Sequence, residues 1–189
     1  MVKTLILLLT FPFYVNSEAL SKDIDRYKSF FDSGGNWVSV RSVMEDLSWS
    51  GIRDETLFDQ IASELKGSYL ETDGPTVERA SWLAKALALS GNVKYRELLE
   101  EIRDSSAHKK VKKHVEIAIG RLKDYESWAP IIGANLDSAK TAEELDAMRI
   151  KNMIEAEDPI LVRMGVKRVY YDFRVVESLQ DIVETRLIN

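Results

Sequence analysis

The sequence contains no cysteine, and this absence removes several classes of protein at once. The chain can form no disulfide, offer no thiolate nucleophile and hold no cysteine-ligated zinc or iron–sulfur cluster. It also lacks the lipid-modified cysteine of a lipoprotein signal. Stability must therefore come from packing, which a chain of 189 residues can supply.

Proline and glycine are also scarce, at four and nine residues. An all-β fold of this length needs more turn residues, whereas helix-forming residue types are plentiful here. The formal net charge is −5, so the chain lacks the overall basic character with which a general nucleic-acid binder neutralises phosphates. We therefore predict no nucleic-acid partner.

Catalytic and cofactor motifs are missing as well. The only histidines, His108 and His114, are separated by about 240° around a helix, so they cannot share a metal from one face. There is no Gly-x-Ser-x-Gly nucleophile elbow, and Gly34-Gly35 lacks the rest of a phosphate-binding loop. The sequence therefore predicts no enzyme activity, no cofactor and no metal site.

The N-terminal segment has the pattern of a secretory signal. Lys3 provides a positive start, residues 5–15 are apolar except for Thr10 and Pro12, and residues 15–17 fit a cleavage site. The apolar run is shorter than the roughly 18 residues that a membrane-spanning helix needs. We predict that residues 1–17 are a cleaved signal peptide and that no membrane span remains after cleavage.

This signal predicts a periplasmic or secreted protein. Since the chain also lacks an Asn-x-Ser/Thr glycosylation sequon, a bacterial periplasm is favoured over a eukaryotic secretory pathway. Cleavage after Ala19, an uncleaved anchor and a buried apolar helix are the alternatives for this segment.

Residues 18–189 are predicted to form one helical domain, because apolar side chains recur there at helical spacing. No segment alternates with period two for long enough to form a strand, so the predicted class is all-α. A short separate segment is predicted around Pro130. The helical pattern covers residues 20–31, 37–47, 57–69, 75–88, 95–102, 111–122, 145–153, 162–170 and 175–187.

Several helix starts carry their own signals. Asp54 is predicted to cap the third helix, and Pro75 follows the break that precedes the fourth. Thr141 and Glu144 have the spacing of a capping box. Asp158-Pro159 predicts the start of a further helix.

Parts of this helical pattern repeat. Leu57-Phe58-x-x-Ile61 recurs as Leu98-Leu99-x-x-Ile102, and residues 177–187 weakly repeat the pattern of residues 55–65. Short helices with similar spacing are typical of repeat proteins, in which each pair stacks on the next because it cannot cover its apolar face alone.

Two segments are similar to the second helix of a HEAT repeat. They are Val111-Lys112-x-x-Val115-x-x-Ala118-Ile119-Gly120-x-Leu122 and Asp158-Pro159-x-x-Val162-Arg163-x-x-Val166-x-x-Val169-Tyr170. The resemblance implies a short right-handed α-α superhelix, a HEAT-like solenoid of about eight to ten helices. It also implies that Lys112 and Arg163 lie near the inner layer of helices and bridge adjacent repeats, with a solvated surface charge as the alternative for both residues.

A basic run at residues 108–114 is the main candidate for a binding site. Its lysines could contact an acidic protein, phosphate or anionic lipid, although a solvated helix face is the alternative. Together with the arginine of the second HEAT-like segment, the predicted partner-binding residues are Lys109, Lys110, Lys112, Lys113 and Arg163.

The function predicted from these features is that of an exported, non-catalytic module that binds a protein partner through its helical-repeat surface. Two alternatives belong to other classes. One is a structural envelope protein that associates with itself through its terminal repeats, and the other is a HEAT-like enzyme such as a lyase.

Overall fold

A computed structural model describes residues 18–33 and 37–171 together with Leu179, and these residues contain helices and turns but no strand. The all-α prediction is confirmed. The predicted signal peptide lies outside the described residues, as does the helix predicted at 175–187 apart from Leu179, which is helical and buried. The described helices are α1 (Glu18–Asp32), α2 (Trp37–Leu47), α3 (Glu55–Ser68), α4 (Gly74–Ala88), α5 (Arg96–Ser105), α6 (Lys109–Ile132), α7 (Ala142–Ile154) and α8 (Pro159–Tyr171).

The predicted helix starts are confirmed. The Asp54 carboxylate accepts a hydrogen bond from the backbone N–H three residues further on, at 2.9 Å. Thr141 Oγ1 accepts the backbone N–H of Glu144 at 3.1 Å, and the Glu144 carboxylate accepts the N–H of Lys140 at 2.7 Å. The bonds to Asp54 and Thr141 occupy backbone N–H groups that the helices themselves leave without a partner.

The separate segment predicted around Pro130 is wrong, because α6 continues through this proline to Ile132. Pro130 lacks an N–H and leaves the carbonyl of Glu126 without its helical donor. This loss falls in the last turn of α6, and Glu126 is exposed, so water can serve its carbonyl. Burial of Trp128 and Ile132 on the same stretch favours continuing the helix.

The first six helices stack in two layers. In one layer, α4 packs between α2 and α6, and in the other α3 packs between α1 and α5. The contacts of α3 with α4 and of α5 with α6 join the layers. Because α4 is covered by several neighbours, its buried residues lie almost all around it, and the alanines Ala80, Ala84 and Ala88 let these helices approach closely.

α7 and α8 form a fourth pair of helices, and this pair packs, through α7, against the first helix of the chain. α7 packs against α8 and α6, but it also contacts α1, which a strictly linear stack would keep apart. Asn152 of α7 donates hydrogen bonds to the carbonyls of Ile132 and Ala134 at 3.0 and 2.9 Å. These bonds hold α7 at the end of the long helix α6.

Two turns between the layers have the same hydrogen bonds 40 residues apart. Ser50 Oγ donates to the Leu47 carbonyl and accepts the N–H of the second residue after it, and Ser90 does the same after Leu87. The following residues, Gly51 and Gly91, have φ angles of 66° and 58°, which favour glycine. Both glycines pack directly against the backbone of α6 or the residue after it.

Candidate partner-binding face

The predicted basic run lies at the start of α6, where its lysines divide between different sides of the helix. Lys110, His114, Ile117 and Arg121 share one side because they are three or four residues apart. Lys112 points elsewhere, since its Nζ donates to the Asp104 carbonyl at the end of α5, at 3.4 Å.

Trp82 of α4 brings basic side chains from three helices together. The Lys85 ammonium lies 4.1 Å from the centre of the indole ring, and Arg41 of α2 lies 5.6 Å from it. The His114 ring of α6 meets the indole edge-on, with ring centres 6.1 Å apart. Contacts of a cation with an aromatic face are attractive, so the indole holds positively charged side chains close to one another.

An apolar trough of about 330 Å³ lies beside this cluster, between α2, α4 and α6. Its apolar lining includes Met44, the buried Leu89 and Ile117, whose exposed fraction is 42%. Lys85 and Arg121 line the same trough. We call the trough and the cations around it the basic face, which comprises Arg41, Met44, Trp82, Lys85, Ala88, Leu89, Lys110, Lys113, His114, Ile117, Ala118 and Arg121.

Lys85 is a partly buried cation of the basic face. Partial burial lowers its pKa, and the positive charges of Arg121, Arg41 and Lys110 lower it further. Among the described residues, no acidic side chain is within ion-pair distance of Lys85, Lys113 or Arg121. A negative charge brought to this place would therefore be stabilised.

Two acidic residues offset part of the positive charge. Glu78 of α4 forms an ion pair with Lys110 across to α6, and Glu45 pairs with Arg41 at 3.0 Å in an exposed position. Exposed pairs of this kind contribute little and exchange readily with solvent or with another anion. They leave the centre of the basic face, around Lys85 and Arg121, positively charged.

His114 adds a titratable group to the same place. Burial lowers its pKa, as do the charges of Lys85, Lys110 and Lys113, while Glu78 acts in the opposite direction. Its Nδ1 is buried and has no hydrogen-bond partner among the residues that the structure describes. At neutral pH the ring is consequently neutral in the unbound protein.

Only some of the predicted site residues therefore lie close together in the structure. Lys110 and Lys113 belong to the basic face, Lys109 is exposed at the first position of α6, and Lys112 faces α5 rather than an adjacent repeat. Arg163 lies on α8, exposed and outside this face. Whether these five residues bind a partner stays a prediction.

Sequence reasoning missed Arg41, Lys85 and Arg121. One signal was present, because Arg121 continues the stripe of Lys110 and His114 along α6. Nothing in the sequence indicated that α2 and α4 would bring their own cations to this stripe.

Within the described part of the chain, no group of three or more His, Cys, Asp or Glu side chains is arranged to hold a metal ion. The described helices also include none whose length and hydropathy would suit a bilayer span. Searches against protein-family models, curated proteins and solved structures found no match to this chain.

Proposed function

We propose that this protein is an exported, non-catalytic module whose basic face binds an acidic amphipathic segment of a protein partner. The observation that carries the proposal is Lys85, a partly desolvated cation with no acidic partner among the described residues, beside an open apolar trough. Binding of a carboxylate there would relieve the repulsion among Lys85, Arg41 and Arg121.

The apolar and charged parts of the face suit one kind of partner segment. A helix with apolar side chains on one side can fill the trough over Ile117 and Leu89, as in other helix-in-groove complexes. Glutamates beside those apolar residues would then meet Lys85 and Arg121. The indole of Trp82 supplies a large, partly exposed aromatic surface, which is frequent at the energetic centre of interfaces.

The direct test uses a fluorescently labelled helical peptide with Leu and Glu at helical spacing, and a matched peptide in which Lys replaces Glu. We expect the acidic peptide to bind and the basic one not to. The double variant Lys85→Glu, Arg121→Glu should weaken binding at least tenfold, because it replaces attraction with repulsion. The double variant Lys66→Glu, Lys123→Glu makes the same change of net charge at two exposed positions outside the basic face and is the control.

A photo-crosslinking residue at Ile117 identifies the natural partner in cells. We expect crosslinked products at this position that are lost in the double variant and absent when the crosslinker is at Leu70, an exposed apolar residue after α3. Equal products from both positions would contradict the proposal. A product containing two copies of this chain would instead support self-association.

Binding of the acidic peptide is expected to tighten as the pH falls from about 7.5 to about 5.5. Burial and nearby lysines lower the pKa of His114 in the unbound protein, and a bound carboxylate raises it. The complex therefore takes up a proton that the unbound protein does not hold, so lower pH favours the complex. Fluorescence anisotropy measured across this range should show a severalfold change that disappears in His114→Gln.

Export is the remaining part of the proposal, and its support is the N-terminal sequence pattern. The mature protein is expected outside the cytoplasm with Glu18 as its first residue. Cell fractionation followed by N-terminal sequencing checks this. A protein that keeps residues 1–17 and remains with the cytoplasmic fraction would show that the segment is not a cleaved signal.

A further inference from the structure

A second cleft, which shares no lining residue with the basic face, lies where α7 and α8 approach α1 and the end of α2. Its volume is about 610 Å³, within the range of about 300–1,000 Å³ that is usual for small-molecule sites. Charged side chains of both signs line it, together with the aromatic residues Tyr27 and Trp49. Some of these charged side chains already have hydrogen-bond or ion-pair partners within the protein, and others do not.

Arg149 already has three hydrogen-bond partners within the protein. Its guanidinium donates to the Ser50 carbonyl at 2.7 Å, to the Asp23 carboxylate at 2.7 Å and to the Asp146 carboxylate at 3.1 Å. The residue is only 3% exposed. This arginine is therefore part of the wall of the cleft, and we do not assign it a role in binding a ligand.

Arg168 of α8 has fewer partners within the protein than Arg149. Its guanidinium lies 4.6 Å from the centre of the Trp49 ring and donates one hydrogen bond, to the Glu45 carbonyl at 3.2 Å. Burial lowers the pKa of this group, so its positive charge is not fully compensated by the acids nearby. Trp49 adds a buried Nε1–H that has no acceptor among the described residues.

Asp46 is the complementary group. Its carboxylate is partly buried, and among the described residues it has neither a hydrogen bond nor an ion pair within 4.0 Å. Burial raises its pKa, while the charges of Arg26 and Arg168 act against that effect. The cleft thus contains an incompletely paired cation and an incompletely paired anion that influence each other, and each would gain from an opposite charge.

We propose that this cleft binds a small zwitterion of the free amino-acid or dipeptide class. The ligand's carboxylate accepts hydrogen bonds from Arg168, and its ammonium contacts Asp46. A purely anionic ligand would be repelled by Asp46 and a purely cationic one by Arg168, so a ligand that carries both charges fits best. The partly exposed side chains of Trp49 and Ala19 provide apolar surface for the rest of the molecule.

The test is isothermal titration of the full chain with each of the common amino acids and with simple dipeptides such as Gly-Leu and Ala-Phe. We expect at least one to bind with a Kd below about 1 mM. Its N-acetyl derivative, which lacks the ammonium, and its amide, which lacks the carboxylate, should each bind at least tenfold more weakly. Absence of binding by every amino acid and dipeptide would overturn the proposal.

Two variants locate the bound ligand. Asp46→Asn should weaken binding of the zwitterion at least tenfold but strengthen the weak binding of the anionic N-acetyl derivative, because it removes a repulsion. Arg168→Gln should likewise weaken binding of the zwitterion and strengthen that of the cationic amide. Arg53→Gln, at an exposed arginine that does not line the cleft, should have no effect. Thermal melting checks that each variant folds. Binding that survives both cleft variants would show that the ligand lies elsewhere and would refute this assignment.

Discussion

Gly91→Ala is expected to destabilise the protein by about 3 kcal/mol. Gly91 has a φ angle of 58°, at which an added Cβ is strained. The same Cβ would overlap the backbone carbonyl of Tyr125 and the N–H of Glu126, which belong to α6 and cannot move aside as a flexible side chain can. The turn would have to shift away from α6, and the packing of α4 and α5 on that helix would loosen.

Urea unfolding followed by circular dichroism measures this effect. The matched control is Gly120→Ala, because Gly120 lies within α6 and an added Cβ there meets no atom within 4 Å. Alanine has the higher helix propensity, so the control should be neutral or more stable by about 0.5–1 kcal/mol. If both variants lost the same stability, close packing of the turn on α6 would not be the cause.

Arg149→Met is expected to cost about 3–5 kcal/mol. Arg149 is the one charged side chain that is buried in the described part of the chain, and its contacts join α7 to α1 and to the turn after α2. Methionine fills similar space but removes the Arg149 guanidinium from the Asp23 and Asp146 carboxylates, while Asp23 keeps its ion pair with Arg26 at 2.8 Å. The exposed fractions of these two side chains are 13% and 25%, so water replaces the lost bonds only in part.

A double variant separates the unpaired charge from lost packing. Adding Asp146→Asn to Arg149→Met removes a carboxylate that has lost the Arg149 guanidinium and should recover part of the loss, as seen in the free energy of unfolding. Lys151→Met, on the exposed side of the same helix, should change stability by less than about 0.5 kcal/mol. A loss of similar size at Lys151 would mean that α7 tolerates methionine poorly for reasons unrelated to the ion pairs.

The helices were predictable because their signals are local. Asp54, Thr141 and Asp158 cap helices in the structure as their spacing predicted, since a cap depends on residues two to four positions away. The prediction at Pro130 was wrong because the deciding interactions there are not local. A proline normally indicates a helix end, but here the packing of Trp128 and Ile132 outweighs the loss of one hydrogen bond near the end of α6.

The candidate site was predictable only in part, because its members come from different helices. Lys110 and Lys113 were visible as part of a basic run, whereas Arg41 and Lys85 are single cations in unremarkable sequence. They join the basic face because α4 packs between α2 and α6 and Trp82 reaches both neighbours. No spacing rule within one helix can predict such a meeting.

The sequence by itself determined the all-α class, most helix boundaries and the places where caps form, because these follow from apolar periodicity and short-range hydrogen bonds. Only the tertiary structure decided that α7 returns to α1, where Arg149 pairs with Asp23 across 126 residues. It also decided which lysines share a surface. Long-range contacts depend on how whole helices pack, and that geometry is set by all the side chains in the interface together rather than by any one segment.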